Sequence, residues 1–183
     1  NSGRYYLREI SVPDGYLIEQ SVIPVEFTYE NQFIAWQIVD CLHSDKQTTV
    51  EIDKRAFASD SDTTFALPGA TLTVTDWNGN VVDSWESSDT AHVIRGLHLS
   101  HDFAGNRDTT KIYTLSETRP ADGYTTARSI QFRLEQATGD NSYLQETAVW
   151  VLHESEDAEY QSGSIISPTA FSDDSVATIP AKL

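Results

Sequence analysis

"YTLSETRPADGYTTA", Tyr113–Ala127, decides the fold, because a relative of it, "YYLREISVPDGYLIE", occupies Tyr5–Glu19. Leu7 and Leu115, Glu9 and Glu117, Gly15 and Gly123, and Tyr16 and Tyr124 each stand 108 positions apart (117 − 9 = 108). Four identities at one offset mark an internal repeat, and a repeat outranks any local pattern in setting architecture. A period of about 100 residues is too long for a solenoid unit and suits a whole β-sandwich domain. The first copy begins with its Leu-x-Glu element near Asn1, so it is expected to represent only the rear half of a domain. Residues 1–47 are therefore expected to be the C-terminal part of an incomplete module. Residues 48–157 are expected to form a complete module, and 158–183 a Ser/Asp-rich tail, linker or set of added edge strands.

Working outward, apolar and polar residues alternate through most segments. "SVIPVEFTYE" (21–30) and "FIAWQIVD" (33–40) read as strands on either side of Asn31-Gln32. "TTVEIDKRAF" (48–57) puts Lys54 on the same face as Val50 and Ile52, because strand side chains repeat every second residue. A lysine on an apolar face needs a partner or a chemical use, since burying an ammonium is costly. "ATLTVTDWNGNVVDSW" (70–85) is a hairpin, with Asn78-Gly79 supplying the pair that a type I′ turn prefers. "HVIRGL", "KIYTLSE", "SIQFRLEQ" and "TAVWVLHE" are further strands. No segment has helical periodicity. Short strands with regular turns predict an all-β antiparallel sandwich, immunoglobulin-like or transthyretin-like. Edge strands are also predicted within the tail, around Ser164–Ser167 and Val176–Ile179.

Composition sets limits on function. The chain has 183 residues, 39% hydrophobic and 10% aromatic, enough for a real core. Its net charge is −16, which argues against nucleic acid and anionic membranes as partners. One cysteine, Cys41, excludes an intrachain disulfide, and its neighbours Val39 and Leu42 suggest an inert strand thiol. No apolar run is long enough to span a bilayer. Without an initiator Met or a signal peptide, the sequence reads as a processed or excised piece of something longer.

The motifs VEIDK, LPGATLTVTDWNGNVVDSW, HVIRGL and YTLSETRPADGYTTARSIQF stand in one order from Val50 to Phe132. In sequence and spacing the chain resembles the CnaB-like, or SpaA-type prealbumin-like, repeat modules of Gram-positive surface adhesins and pilins. The resemblance covers Thr48 to about Glu154, and residues 3–47 match the rear half of a preceding module. It implies an extracellular, cell-wall-linked stalk or pilin-type function. It also implies a single-turnover autocatalytic reaction in place of enzyme turnover. In such modules a lysine on the first strand forms an amide with an Asn or Asp near the end of the last strand. A glutamate of the L-x-E element, the E-box, assists.

Carried onto this chain, Lys54 is the amide donor and Glu117 the proton shuttle. The acceptor position falls on His153, which cannot form that amide, and Glu154 is next to it. Either a bulge presents Glu154, or the bond is absent and Lys54 is simply ion-paired with Glu117. In the first copy Glu9 matches the E-box, and Asp45, or else Asp40, matches the acceptor region. The physics is coherent: desolvation favours a neutral amine, which is a nucleophile, and a protonated carboxyl, which can relay protons. Closing a loop of about 100 residues would stabilise the fold by about 4–5 kcal/mol.

Other constellations are weaker. His98-x-x-His101-Asp102, Asp60-x-Asp62 and Asp76-x-Asn78-Gly79-Asn80 lack the further ligands of a metal site, so no metal or cofactor is expected. Among Trp36, Trp77, Trp85 and Trp150, Trp77 beside the turn is the candidate contact for a glycan or host-protein ligand, the alternative function on the same fold. Expected partners are neighbouring modules of the same surface protein or fibre, with strand complementation between chains for the incomplete module. No phosphate loop, nucleophile elbow or zinc-protease motif is present.

Overall fold

The computed structural model describes residues 3–19, 21–33, 38–41, 44–57, 64–100, 108, 110–137, 147–152 and 178–180. Among these residues the chain is all-β, without helix. In chain order the strands are β1 (Gly3–Leu7), β2 (Tyr16–Leu17), β3 (Ile23–Phe27), β4 (Lys46–Gln47), β5 (Thr49–Ile52), β6 (Arg55–Phe57) and β7 (Thr64–Ala66). They continue as β8 (Thr71–Thr75), β9 (Val81–Glu86), β10 (His92–Arg95), β11 (Tyr113–Arg119), β12 (Ile130–Gln136), β13 (Thr147–Leu152) and β14 (Thr178–Pro180). No described helix is long and apolar enough to cross a membrane.

A five-stranded antiparallel sheet, ordered β13-β12-β11-β8-β9, is packed through a single core with the pair β10-β5. The core takes alternate residues from each strand: Leu72 and Val74, Tyr113 and Leu115, Phe132 and Leu134, and Val50 and Ile52 from the other side. This is the period-two pattern of a sandwich. A second, smaller cluster of Ala56, Leu67, Ala70 and Ala121 lies beyond it, with Tyr124 packed against it. Small side chains there bring backbones close. Ser87 closes that end by accepting from the Ala70 amide at 3.0 Å and donating to the Leu67 carbonyl at 2.6 Å.

Several expectations are revised. "TTVEIDKRAF" is two strands, with the chain leaving β10 and joining β7 across Asp53-Lys54. The inward alternation Val50, Ile52, Lys54, Ala56 survives the break. The hairpin is not closed by a type I′ turn, because Asn78 does not have positive φ and Gly79 does, at 83°. The Gly79 amide donates to the Asp76 carbonyl at 3.0 Å, and the Asp76 carboxylate accepts the Asn78 and Asn80 amides. A longer turn capped by its own aspartate therefore replaces the two-residue one. In the segment 33–40, Ile38–Asp40 are outside any strand, and 34–37, with Trp36, lie outside the described residues. Cys41 is exposed and not on a strand, contrary to the strand thiol expected. In the tail, Thr178–Pro180 pairs in parallel with β6, while 164–167 lie outside the described residues.

Phe132 is fully buried at the centre of the core. Phe132→Ala should destabilise by about 3–5 kcal/mol, from lost burial and the cavity left behind. Ser87→Ala should cost about 1–3 kcal/mol, because the Ala70 amide loses its side-chain acceptor. Urea unfolding monitored by tryptophan fluorescence checks both.

Candidate functional site

Lys54 and Glu117 meet in the interior. Lys54 sits where the chain passes from β5 to β6, and its carbonyl accepts from the Leu67 amide at 2.8 Å. Glu117 lies on β11 opposite Leu72 of β8, and the register shifts immediately after it, between Glu117 and Arg119. Such a bulge re-aims a side chain. Tyr113, Leu115 and Glu117 share the inward face, so the carboxyl continues a core stripe. Lys54 Nζ is 3.3 Å from Glu117 Oε1, with the two side chains 0% and 1% exposed. That separation is longer than a charge-assisted hydrogen bond of about 2.8 Å. The two groups are buried neighbours within ion-pair distance.

Burial pushes the Lys54 ammonium below its ordinary value of 10.5, and the Glu117 carboxylate opposes this from beside it. Desolvation is the larger effect, so the pocket favours a neutral amine more than a water-exposed lysine would.

The second carboxylate oxygen has a different role. Glu117 Oε2 accepts from the backbone amide of Ala127, ten residues on. Between them the chain turns at Ala121–Tyr124, with the Tyr124 amide on the Ala121 carbonyl at 3.1 Å and Gly123 at φ 86°. The first copy repeats this at every point. Glu9 Oε2 accepts from the Glu19 amide at 2.7 Å, also ten residues on, the Tyr16 amide donates to the Pro13 carbonyl at 3.2 Å, and Gly15 has φ 82°. The repeated motif is thus a glutamate-pinned strap. In the second copy the pin holds the carboxyl by one oxygen and leaves the other facing Lys54. Sequence reading missed the pin; the constant spacing from Glu to Gly-Tyr was its signal.

The remaining candidates are placed as follows. His153 and Glu154 lie outside the described residues, directly after β13. The first residues of β5 and β13 are adjacent, with the Thr49 amide donating to Thr147 Oγ1 at 2.9 Å. Asp45 is half-buried and Asp40 exposed. Trp77 is half-buried, edge-on to Tyr113 and His98, with Lys111 Nζ 4.1 Å over its ring. Its face is occupied from within the chain. Trp85 stacks on His92, which contacts Asp83 at 2.8 Å. No group of metal-ligating side chains occurs among the described residues; His101, Asp102, Asp60 and Asp62 lie outside them.

No protein-family model matches the chain, and no curated protein matches it. Among solved structures it is similar to the pilus-presented adhesin Spy0125 (Cpa), with 27% identity over 58% of this chain and 20% of that one, at a TM-score of 0.38. It is similar to the TIE protein of Bacillus anthracis, with 21% identity over 72% and 22% of the two chains and a TM-score of 0.44. For the pilus adhesin SpaC of Lactobacillus rhamnosus GG the values are 16%, 99%, 24% and 0.41. The chain therefore spans between 20% and 24% of the length of these structures.

Two predictions test the pocket. Lys54→Met leaves a buried carboxylate without its cation and should cost about 3–5 kcal/mol. Lys54→Met with Glu117→Gln should recover most of that, since the amide oxygen still accepts from Ala127. Chemical denaturation of the single and double variants measures the coupling. In a chain that keeps Lys54 as a free amine, the folded state releases the Lys54 proton at lower pH than the unfolded state does. Between the lowered value and 10.5 the unfolded state holds more protons, so stability rises with pH across that window. Urea midpoints from neutral pH upward should show the rise in Glu154→Ala, which keeps Lys54 as a free amine, and a flatter profile in Lys54→Met.

Proposed function

We propose that this chain is a structural module of a bacterial cell-surface adhesin or pilus, stiffened by an autocatalytic amide between Lys54 and Glu154. The observation that carries the reading is the Lys54–Glu117 pair, fully buried, with Nζ 3.3 Å from Oε1. A stalk domain has little reason to bury an amine against a carboxyl in an apolar pocket unless the pair is used.

The chemistry balances without cofactor. The neutral Lys54 amine attacks the acceptor carboxyl carbon, a C–N bond forms, a C–O bond breaks and one water leaves. Glu117 carries the proton from the amine to the departing oxygen. Apolar surroundings suit every step, because water that would compete for protons is excluded. The reaction consumes Lys54, so it runs once per molecule and the chain is not an enzyme in the turnover sense. The product ties the strand junction at Lys54 to the end of β13, across a loop of about 100 residues, worth about 4–5 kcal/mol on the loop-entropy account.

The setting is extracellular, and the partners are neighbouring modules of the same surface protein or fibre. Tyr5, Tyr6 and Leu7 of β1 are exposed, which supports completion of the first unit by a strand of another chain.

Intact mass of the purified chain tests the cross-link. We expect a mass one water below the sequence value, abolished in Lys54→Ala and in Glu154→Ala. A loss of one ammonia would transfer the acceptor role to an asparagine. An unmodified parent mass would overturn the cross-link and leave the Lys54–Glu117 contact as an ion pair.

A further inference from the structure

The first strap is built into the complete module. Gly15 is buried, and its carbonyl accepts from the Thr48 amide at 2.9 Å. Thr48 is fully buried; its hydroxyl donates to the Leu97 carbonyl at 2.6 Å, and its own carbonyl accepts from the Gly96 amide at 3.0 Å. A Cβ on Gly15 would lie 2.5 Å from the Gly96 carbonyl oxygen, so backbone meets backbone with no room between. Leu17 and Ile18 follow, at 1% and 4% exposure. The Gln136 side chain completes Ile18 as a neighbouring strand would: Oε1 accepts from the Ile18 amide at 2.9 Å and Nε2 donates to its carbonyl at 2.8 Å. At the rim, Asp14 Oδ2 is 3.2 Å from His98 Nδ1.

The repeat supplies an internal comparison. Both straps have the glutamate pin, the tyrosine turn and the glycine of positive φ. Gly123, the counterpart of Gly15, has open space where its Cβ would go. Leu17 and Ile18 correspond to Thr125 and Thr126, which are exposed. The shared features make the strap. The apolar pair and the packed glycine of the first copy serve its contact with the module.

We infer that residues 14–18 are a docking strap that seats the first E-box segment on the complete module as a fixed joint, in a socket made by Thr48, Gly96, Leu97, His98 and Gln136. The joint is independent of the proposed cross-link. Its contacts are backbone-type hydrogen bonds and buried apolar surface, which hold one orientation, where a linker of residues 1–47 onto 48–157 would leave it free. Load passing along the chain then crosses the junction through the Gly15–Thr48 and Ile18–Gln136 bonds.

Amide hydrogen exchange on the full chain tests this, with Gly15→Ala, Gly123→Ala and Leu17→Thr/Ile18→Thr as variants. In the parent chain the Thr48 and Ile18 amides should be protected well above exposed loops. Gly15→Ala should speed their exchange by about tenfold or more while β8 and β11 stay protected. Gly123→Ala imposes the same backbone strain without the clash and should leave Thr48 and Ile18 unchanged. Leu17→Thr/Ile18→Thr should act like Gly15→Ala. Loop-like exchange of Thr48 and Ile18 in the parent would overturn the joint, as would equal effects of the two glycine variants. Loss of protection through β8 and β11 in Leu17→Thr/Ile18→Thr would also overturn it, by making the strap part of the module's own core.

Discussion

The structure is organised around one costly placement, an amine and a carboxyl taken out of water together at Lys54 and Glu117. Either group alone in that pocket would be strongly unfavourable, so each requires the other. Lys54 lies at the break between β5 and β6 and Glu117 just before a register shift, and both continue the inward alternation of their strands.

The E-box glutamate has two jobs, and the repeat separates them. One is architectural: an oxygen holds the amide ten residues on and closes a strap around Gly-Tyr. This job is done in both copies. The other is the approach to a lysine, and it depends on the junction between β5 and β6. A motif can therefore recur for structural reasons while its contact with a buried lysine is made by Glu117. The strap, in turn, is what the first copy uses to sit on the second, so the same loop links local pinning to the arrangement of the chain.

Much of this was legible in the sequence. Alternation gave the all-β class, and the 108-residue offset gave the repeat. Counting by twos from Val50 placed Lys54 inside, and counting by twos from Tyr113 placed Glu117 on the same side as Leu115; both placements hold. The type I′ turn failed because Asp76 competes for the turn amides with its own carboxylate, a contact that a two-residue signature does not encode. The thiol of Cys41 failed for a related reason. Flanking apolar residues signal a strand, but a strand also needs a neighbour to pair with, and Cys41 is outside any strand of the described residues. Trp77 was singled out because it borders a turn; that Lys111, distant in sequence, lies over its ring is a tertiary contact.

The sequence by itself determined which residues face inward, where the strands turn and that one strap motif occurs twice. These follow from local geometry: the two-residue period of a strand and the conformational freedom of glycine act within a few positions. Tertiary structure decided that Lys54 and Glu117, 63 positions apart (117 − 54 = 63), lie within 3.3 Å, that Gln136 closes on Ile18, and that Gly15 fits against Gly96. Those contacts depend on how separate strands are stacked and registered. Burial energy over the whole core sets that arrangement, and no local pattern carries it.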